Sequence, residues 1–380
     1  MIEQGSTGSA TKEFVVVARG PSAAVFEQGQ SFGVDGFPSA PGPVDITCTT
    51  RYVSKGTDIT VPGHLWIDVR GYAPSLDEAL LPFANAGLIV IPVLALSANA
   101  AVHDSDIEIG FDNTAGVTER DFFQSYVAPE TDELHLYRRI NVDVTKALSE
   151  ALYGHRDAER LLRGAEQYRM ALASWRFGRE SPALAHLWMA VEALTKAKVR
   201  AECEKRGVAK EADLASELDI ELKELDSTIR RDFLLKGDTE VYTKAKEASD
   251  GFEHGFLSFE KIRELSRDVR HRMADYVRTV ILELCNLDSS VYATLTSHPF
   301  DKPIGYWPAD KYVRGKLVGP GDELAAPGNA YPFMKWNTSI KSIEPRENAV
   351  MNVEMTETLT ADIAKGIQFR PQSFEARQVD

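Results

Sequence analysis

The first 140 residues carry short apolar stretches in which apolar and polar positions partly alternate. Segments Glu13–Arg19, Val44–Ser54 and His64–Tyr72 are rich in β-branched residues, and clusters of glycine and proline separate them. Alternation with a period of two is typical of half-buried strands. The pattern therefore predicts a β-rich or α+β domain over residues 1–140, with a further strand at Ile107–Asp112.

Two segments of this region depart from the alternating pattern. Ser75 followed by Glu78 has the spacing of a capping box and predicts a short helix with the sequence SLDEALLPFANA. The stretch Gly87–Ala98, GLIVIPVLALSA, is almost entirely apolar. It is too short to span a membrane and contains a proline, so we expect a buried strand there.

Residues 141–287 carry apolar side chains at three- and four-residue spacing, which is typical of amphipathic helices. Pro182 suits the first helical position after an N-cap at Ser181. The spacing predicts helices at Val142–Tyr153, Asp157–Phe177, Pro182–Ala201 and Ser258–Leu287, with shorter, highly charged helices at Ala212–Ile220 and Glu221–Arg231. We therefore expect a helical bundle in this part of the chain.

Residues 288–380 are rich in proline, glycine and aromatic residues. Strand-like runs occur at Tyr312–Val318, Ser339–Ile343 and Val350–Thr358. The pattern predicts a β-rich C-terminal extension. The chain as a whole is expected to be an α+β protein with domains at 1–140, 141–287 and 288–380.

Composition and charge narrow the classes of function. The net charge of −14 lies mostly in residues 1–140, which argues against a non-specific nucleic-acid coat because phosphate binding needs local positive charge. A small basic groove on the nearly neutral middle segment stays open. Cys48, Cys203 and Cys285 lie far apart, which favours a reducing compartment. The first residues lack the pattern of a secretion signal, so we expect a cytoplasmic protein without a membrane span.

The common catalytic and metal-binding motifs are absent from the sequence. It contains no GxGxxG after a strand, no Walker loop, no HExxH, no GxSxG and no CxxC pair. The eight histidines are scattered, and no two have a metal-ligand spacing on a helix. We therefore expect neither a metal site nor a cofactor.

Two side chains in the helical region could carry chemistry. Glu192, in HLWMAVEAL, is expected on or near the face that Leu187, Val191 and Leu194 bury. Because an isolated buried carboxylate is costly, it needs either a structural partner or a catalytic or RNA-contacting role. His254, in FEHGF, could anchor the core through its aromatic neighbours or act as a general acid or base.

Arginines of the last predicted helix form a second candidate feature. Arg263, Arg267 and Arg270 have the spacing i, i+4, i+7 and so share one stripe. The stripe is either a solvated face paired with neighbouring acids or an RNA phosphate-contact face. Arg179 and His186 also match a loose R-x4–6-H pattern, which arises often by chance.

Three stretches of the helical region carry a family resemblance: Tyr168–Trp175 (YRMALASW), Ala183–Leu194 (ALAHLWMAVEAL) and Ser249–Gly255 (SDGFEHG). The segment Asp157–Leu287 resembles the HEPN superfamily of four-helix bundles, most closely its bacterial Apea-like branch. The chain is also similar to the methylamine utilization proteins of the MauJ family. The resemblance implies a homodimer that brings two R-x4–6-H motifs together, and metal-independent RNA cleavage in bacterial stress, toxin or phage-defence systems.

Only part of the ribonuclease motif carries over to this sequence. By the resemblance, Glu192 matches the acid of the second helix and His254 matches the motif histidine. The fifth to seventh positions before His254 hold no basic residue, and Lys246 is the nearest one. A lysine supplies charge but not a planar two-pronged donor.

Two hypotheses follow from this gap. The first is a non-catalytic HEPN-like interaction or assembly protein, expected to form a homodimer or homo-oligomer and to bind a protein partner. The second is a metal-independent endoribonuclease with a degenerate motif, in which His254, Glu192 and Lys246 or Arg263 act on RNA. A role in amine metabolism is a third possibility, for which the sequence shows no cofactor site.

Overall fold

The computed structural model describes residues 11–55, 59–125, 136–306, 310–320, 324–328, 332–345 and 351–377. The chain divides into two compact units. The first comprises Met1–Val53, Val61–Asp132 and Leu136–Tyr306, and the second comprises Ser54–Thr60, Glu133–His135 and Trp307–Asp380. An N-terminal sheet together with a central helical region confirms the predicted α+β class.

The N-terminal part contains a six-stranded sheet with the strand order β3-β4-β5-β1-β6-β7. The strands are β1 (Lys12–Gly20), β2 (Ala24–Val25), β3 (Phe32–Phe37), β4 (Val44–Lys55), β5 (Ile59–Ala73), β6 (Asp106–Asp112), β7 (Phe122–Gln124) and β8 (Arg138–Arg139). β1 pairs antiparallel with β5 and β6, and the short β2 pairs parallel with β8. The strands predicted at Glu13–Arg19, Val44–Ser54, His64–Tyr72 and Ile107–Asp112 are confirmed.

Alternation along β1 separates the two faces of this sheet. Phe14 and Val16 belong to the main core of the N-terminal region. Val15 and Val17 point to the other face, where they form a small cluster with Trp66. Successive side chains of a strand point to opposite faces, and because both faces are buried here, β1 is a continuous apolar run that its β-branched residues mark as a strand.

The apolar stretch after β5 is helical, and the strand predicted there is wrong. α1 (Leu76–Leu88) begins at Ser75, whose Oγ accepts a hydrogen bond from the Glu78 N–H at 3.3 Å, so the predicted N-cap is confirmed. α2 (Val90–Ala98) follows after one residue. Pro92 lies in the first turn of α2, where a backbone N–H has no intrahelical partner, so proline is tolerated.

The remaining helices of the first unit form the bundle and its appendages. They are α3 (Val142–Tyr153), α4 (Ala158–Ala173), α5 (Glu180–Arg206), α6 (Glu211–Glu217), α7 (Leu225–Thr228), α8 (Thr239–His254), α9 (Phe259–Leu284) and α10 (Ser289–Thr296). A short 3₁₀ helix, Leu222–Glu224, precedes α7, and a π-helical segment, Ile229–Leu234, follows it. The change from strands to helices near residue 140 is confirmed, although both parts lie in the same compact unit.

The amphipathic helices agree with the sequence pattern, with differences at some boundaries. α3 has the predicted bounds, and α9 begins after the N-cap Ser258. The Ser181 N-cap is wrong, because α5 begins at Glu180, whose side chain accepts a hydrogen bond from the Gly178 N–H at 3.1 Å. The predicted helix Glu221–Arg231 is divided among the 3₁₀, α and π segments, and their buried Leu225 and Ile229 belong to the bundle core.

α2 connects the two cores of the first unit. Every residue of this helix is buried. Val93 and Leu96 pack in the core of the helical bundle, whereas Ile91 and Leu94 pack in the core of the sheet. A helix that is covered on both sides is apolar all round, so its sequence lacks the 3.6-residue pattern of an amphipathic helix.

The buried C-terminus of α2 is held by two arginines. Arg278 of α9 donates from Nε to the Leu96 carbonyl at 3.0 Å and from Nη2 to the Ser97 carbonyl at 3.4 Å. Arg138 of β8 donates to the carbonyls of Ala98 and Asn99 at 3.2 and 2.7 Å. These carbonyls have no partner within the helix, and the negative end of the helix dipole favours a cation there.

Asn99 completes this arrangement in a left-handed conformation with φ of 48°. Its Oδ1 accepts a hydrogen bond from the Tyr168 hydroxyl at 2.6 Å, and its Nδ2 donates to the Phe300 carbonyl at 2.8 Å. Burial lowers the pKa of Arg138 to about 10, so its guanidinium is still protonated at neutral pH. Groups from the bundle and from the segment after it thus meet at one helix end.

The second unit contains four described strands. They are β9 (Asp310–Val318), β10 (Phe333–Pro345), β11 (Met351–Asp362) and β12 (Gln368–Arg377). β10 pairs antiparallel with β11, and β9 pairs antiparallel with β12. The predicted β-rich character of the C-terminal extension is confirmed for these residues.

We expect Arg278→Met to lower the free energy of unfolding by about 3 kcal/mol or more. The substitution keeps the aliphatic stem but leaves buried carbonyls of α2 without a donor, at about 1–3 kcal/mol each. Urea denaturation monitored by circular dichroism measures this loss. Arg272→Met on the same helix is the control: Arg272 is half-exposed in its ion pairs, and its loss should cost no more than about 1 kcal/mol. Equal losses in both variants would contradict the assigned role of Arg278.

Candidate functional site

His254 is the last residue of α8, at the turn that leads into α9. Gly255 ends the helix in the left-handed conformation, with φ of 68°, and its N–H donates to the Gly251 carbonyl at 3.0 Å. Ser258 then caps α9, since its Oγ accepts a hydrogen bond from the Lys261 N–H at 3.2 Å. A helix end, a glycine and a new N-cap therefore place the imidazole on an exposed turn.

Three phenylalanines surround this histidine in the sequence and are also exposed. Phe252, Phe256 and Phe259 have relative exposures of 50%, 61% and 80%. We call Phe252, His254, Phe256 and Phe259 the aromatic turn. Buried anchoring of His254 between aromatic neighbours, one of the alternatives left open by the sequence, does not occur.

Gly251 allows the aromatic turn to close. Leu257 folds back over the last turn of α8, and a Cβ atom on Gly251 would lie 2.6 Å from its Cδ1 and 3.0 Å from its Cβ. Both distances are shorter than ordinary van der Waals contact, so a larger residue would displace Leu257. The close approach of these two residues fixes how the chain passes from α8 to α9.

Glu192 lies on the exposed side of α5, and its expected place near the buried face is wrong. Its neighbours Val191 and Leu194 are buried as expected. Its Oε1 accepts a hydrogen bond from Nη1 of Arg230 at 3.1 Å, and Arg230 Nε donates to the Thr195 hydroxyl at 3.1 Å. Arg230 belongs to the π-helical segment, 38 residues away in the chain. This contact is the structural ion pair that the sequence left open for Glu192.

Lys246 lies two turns before His254 on α8 and is engaged by a neighbour. Its Nζ is 2.5 Å from Oδ2 of Asp250, one turn along the same helix. The hydrogen bond to Asp250 raises the pKa of Lys246, so the ammonium stays charged. With a rise of 1.5 Å per residue, Lys246 and His254 are separated by roughly 12 Å along the helix axis.

The three candidate catalytic residues are not joined by direct contacts. In the part of the chain that the structure describes, His254 has no hydrogen bond or ion pair with Glu192 or Lys246. Glu192 is paired with Arg230 and Lys246 with Asp250. General acid–base catalysis needs a proton donor or acceptor held within hydrogen-bond reach of the reacting atom. Among the described residues of one chain, neither Glu192 nor Lys246 assists His254 in this way.

The three arginines of α9 do not form one exposed stripe. Arg263 and Arg267 are both exposed, although the Arg267 guanidinium also lies 3.8 Å from the buried carboxylate of Glu180. Arg270 is only 2% exposed, so the expectation of an exposed stripe for RNA phosphates is wrong at this position. Its guanidinium lies 5.1 Å from the centre of the Trp175 ring, because this turn of α9 packs against the α4–α5 connection.

His186 is also engaged within the fold. Its Nδ1 lies 2.9 Å from Oε1 of Gln167 on α4. Burial, followed by the charge of Arg169, lowers the pKa of His186, so the imidazole is neutral at neutral pH. The histidine of the loose Arg179–His186 pattern therefore helps to join α5 to α4.

Two further expectations concern metals and membranes. Among the described residues, no group of three or more histidine, cysteine, aspartate or glutamate side chains could hold a metal ion. The segment Leu76–Ala98 is long and apolar enough to cross a membrane, but it is mostly buried in the first unit, as is the core helix of a soluble protein.

No protein-family model, curated protein or solved structure matches this chain. The resemblance to HEPN and MauJ proteins therefore rests on the sequence motifs alone.

We expect Gly251→Ala to lower the free energy of unfolding by about 1–3 kcal/mol, because the added methyl group overlaps Leu257. The double variant Gly251→Ala/Leu257→Ala should lose less than the sum of its two single variants, since the overlap is removed. A double-mutant cycle by urea denaturation measures this coupling. Strictly additive losses would contradict the proposed contact.

Proposed function

We propose that this chain is a non-catalytic, HEPN-like interaction protein that forms a homodimer through the aromatic turn. The observation that carries the proposal is the exposure of three phenylalanines around one helix end. Within the proposed bundle, α4, α5, α8 and α9 supply the rigid frame that presents this turn. The dimer would then present a combined surface to a protein partner in a bacterial stress or defence system, as the HEPN resemblance implies.

The exposure of the aromatic turn supports an interface. Phe252, Phe256 and Phe259 fall within eight residues of one another, and each leaves half or more of its surface in water. Grouped aromatic residues on a surface are typical of protein interaction sites, whereas single exposed apolar residues are common everywhere. Burying such side chains against a partner would remove a large apolar area from water.

The charges around the turn suit a second copy of the same chain. Glu253 and Glu260 supply negative charge, and Lys261 and Arg263 supply positive charge. Arg263 forms no ion pair within the described part of the chain. A two-fold interface brings the same patch of both copies together, so it needs both signs of charge on each side. The turn meets this requirement, and Arg263 acquires a role that does not involve RNA.

The engagement of the other candidate residues supports the non-catalytic half of the proposal. Arg230 is paired with Glu192, and Lys246 is paired with Asp250. Neither cation is therefore free to bind an RNA phosphate next to His254. Arg270, another candidate RNA contact, is inside the fold.

We expect the protein to sediment as a dimer and the triple variant Phe252→Ser/Phe256→Ser/Phe259→Ser to sediment as a monomer. All three side chains are exposed, so the variant should keep its helical circular dichroism. The matched control, Phe122→Ser/Phe177→Ser, removes two phenylalanines that are as exposed but lie elsewhere, and it should remain dimeric. A monomeric native protein, or a triple variant that stays dimeric, would refute the homodimer.

One observation favours the alternative, a metal-independent endoribonuclease. Arg230 brings a planar guanidinium next to Glu192, and this is the kind of group that the sequence motif lacks. In an RNA-bound dimer, Arg230 could move from Glu192 to a phosphate and stabilise the charged transition state.

Incubation with RNA in the presence of EDTA separates the two functions. We expect no cleavage by the native protein and weak RNA binding at low salt, because Lys246 and Arg230 are ion-paired, Arg270 is buried, and Arg263 alone supplies little positive charge. Native protein, His254→Ala and Arg230→Ala are compared on the same RNA. Cleavage by the native protein that both variants lose would overturn the non-catalytic proposal and establish the ribonuclease.

A further inference from the structure

The loop between α4 and α5 presents a phenylalanine to solvent. Phe177 is 63% exposed, although Trp175, two residues before it, is buried. Gly178 follows with a φ of 79°, a left-handed conformation that glycine adopts without strain. The chain therefore turns sharply after Phe177, and this side chain lies at the tip of the loop.

Two buried charged side chains fix the shape of this loop. Glu180 is 1% exposed, and its Oε1 accepts a hydrogen bond from the Gly178 N–H at 3.1 Å. Arg270 is 2% exposed, and it donates from Nη1 to the Arg176 carbonyl at 3.4 Å. The backbone is thus held on both sides of Phe177. A partner that binds the phenylalanine does not have to order the loop, which lowers the cost of binding.

Positive charge surrounds Phe177. Arg176 precedes it in the chain, Arg179 follows it, and the guanidinium of Arg267 lies 5.8 Å from the centre of its ring. Arg179 and Arg267 are exposed. Arg179 forms no ion pair within the described residues, and Arg267 approaches the carboxylate of Glu180 only to 3.8 Å. We call Arg176, Phe177, Arg179 and Arg267 the Phe177 patch.

The acidic side chains nearest to the patch in the sequence are already engaged. Glu180 is the only acidic residue within residues 167–191, and it is buried. On α9, Glu264 and Asp268 form ion pairs with lysines at 3.2 and 2.9 Å. The whole chain has a net charge of −14, so this local excess of cations departs from the character of the protein and attracts an acidic group.

The patch lies against the N-terminal half of α9, which begins at the aromatic turn. Phe259 and Arg267 are separated by eight residues, or roughly 12 Å along the helix axis. None of the four residues of the aromatic turn belongs to the patch. A homodimer formed through the aromatic turn would therefore carry two copies of the Phe177 patch.

We propose that the Phe177 patch binds an acidic segment of a partner protein, with an apolar side chain of that segment packed on Phe177 and its carboxylates bound by Arg179 and Arg267. Arginine can donate two parallel hydrogen bonds to one carboxylate. Arginine and large aromatic residues also contribute much of the binding energy at protein interfaces. The assignment rests on the interaction function proposed above and adds the chemistry of the protein partner.

An acidic peptide fits the patch better than single-stranded nucleic acid does. Proteins that bind single strands stack successive bases on several aromatic side chains along a basic groove. The patch offers one phenylalanine among three arginines. A long polyanion would also pass over other parts of a surface that carries a net charge of −14, whereas a short peptide contacts the patch alone.

Fluorescence anisotropy with the full chain tests the partner class. The probe is a fluorescein-labelled peptide of repeated Asp-Glu-Phe, and two control peptides replace either its acids by Asn and Gln or its Phe by Ser. We expect saturable binding of the probe, and binding of each control roughly tenfold or more weaker, because each loses its charged or its apolar contacts. Absence of saturable binding, or a control peptide that binds as tightly as the probe, would overturn the proposal. Labelled oligouridylate is measured in parallel, and tighter binding of this RNA than of the probe would also overturn it.

Two variants locate the peptide on the patch. Phe177→Ser and the double variant Arg179→Gln/Arg267→Gln should each weaken binding of the probe by roughly tenfold. All three side chains are exposed, so both variants should keep the native circular dichroism. Native affinity in both variants would place the peptide elsewhere and refute the patch.

Matched controls remove the same chemistry from other surfaces. Phe122→Ser deletes a phenylalanine that is 64% exposed, and Lys146→Gln/Arg163→Gln removes two exposed cations of α3 and α4. Both should bind the probe as the native protein does. A loss of binding in these controls equal to that in the patch variants would show a non-specific effect and contradict the proposal.

Sedimentation of the same samples separates this result from the test of the homodimer. A monomer that binds the probe through the patch would refute the homodimer alone, and a dimer that does not bind the probe would refute the patch alone. We expect Phe177→Ser to remain dimeric. A monomeric Phe177→Ser would identify a second copy of the chain as the occupant of the patch and would overturn the proposal of an acidic partner.

Discussion

The first unit depends on one constraint, the burial of α2 from both sides. A helix enclosed by protein cannot leave the carbonyls of its last turn to water, and leaving each unpaired would cost about 1–3 kcal/mol. Arg278 and Arg138 supply the missing donors. Asn99 ends the helix in a left-handed conformation, and its side chain accepts a hydrogen bond from the Tyr168 hydroxyl. The negative end of the helix dipole stabilises both buried cations, which repel each other, and no carboxylate pairs with either arginine among the described ion pairs.

This constraint also explains why the sheet and the bundle form one unit. Arg278 is on the last long helix, Arg138 lies in the strand before α3, and the carbonyls belong to the helix that follows the sheet. The hydrogen bonds therefore link parts of the chain that are up to 182 residues apart. The aromatic turn between α8 and α9 belongs to the bundle that these hydrogen bonds join to the sheet.

The sequence predicted the elements that bury only one face. The 3.6-residue spacing in α3 and α9 marks the core-facing side directly, so the predicted bounds agree closely with the structure. α2 was missed because both of its faces are buried and its apolar run has no period to detect. Arg230 was missed because its contact with Glu192 is made by a π-helical segment distant in the chain. Burial of Arg270 likewise depends on Trp175 of another segment.

The most direct test of the account is hydrogen–deuterium exchange of the full chain in dilute and concentrated solution. If the aromatic turn is the homodimer interface, amides in residues 249–261 should exchange more slowly in the concentrated sample, while the sheet residues around Phe122 should be unchanged. Protection should disappear in the triple phenylalanine variant. Exchange at residues 249–261 that does not depend on concentration, or protection confined to another surface, would contradict the account.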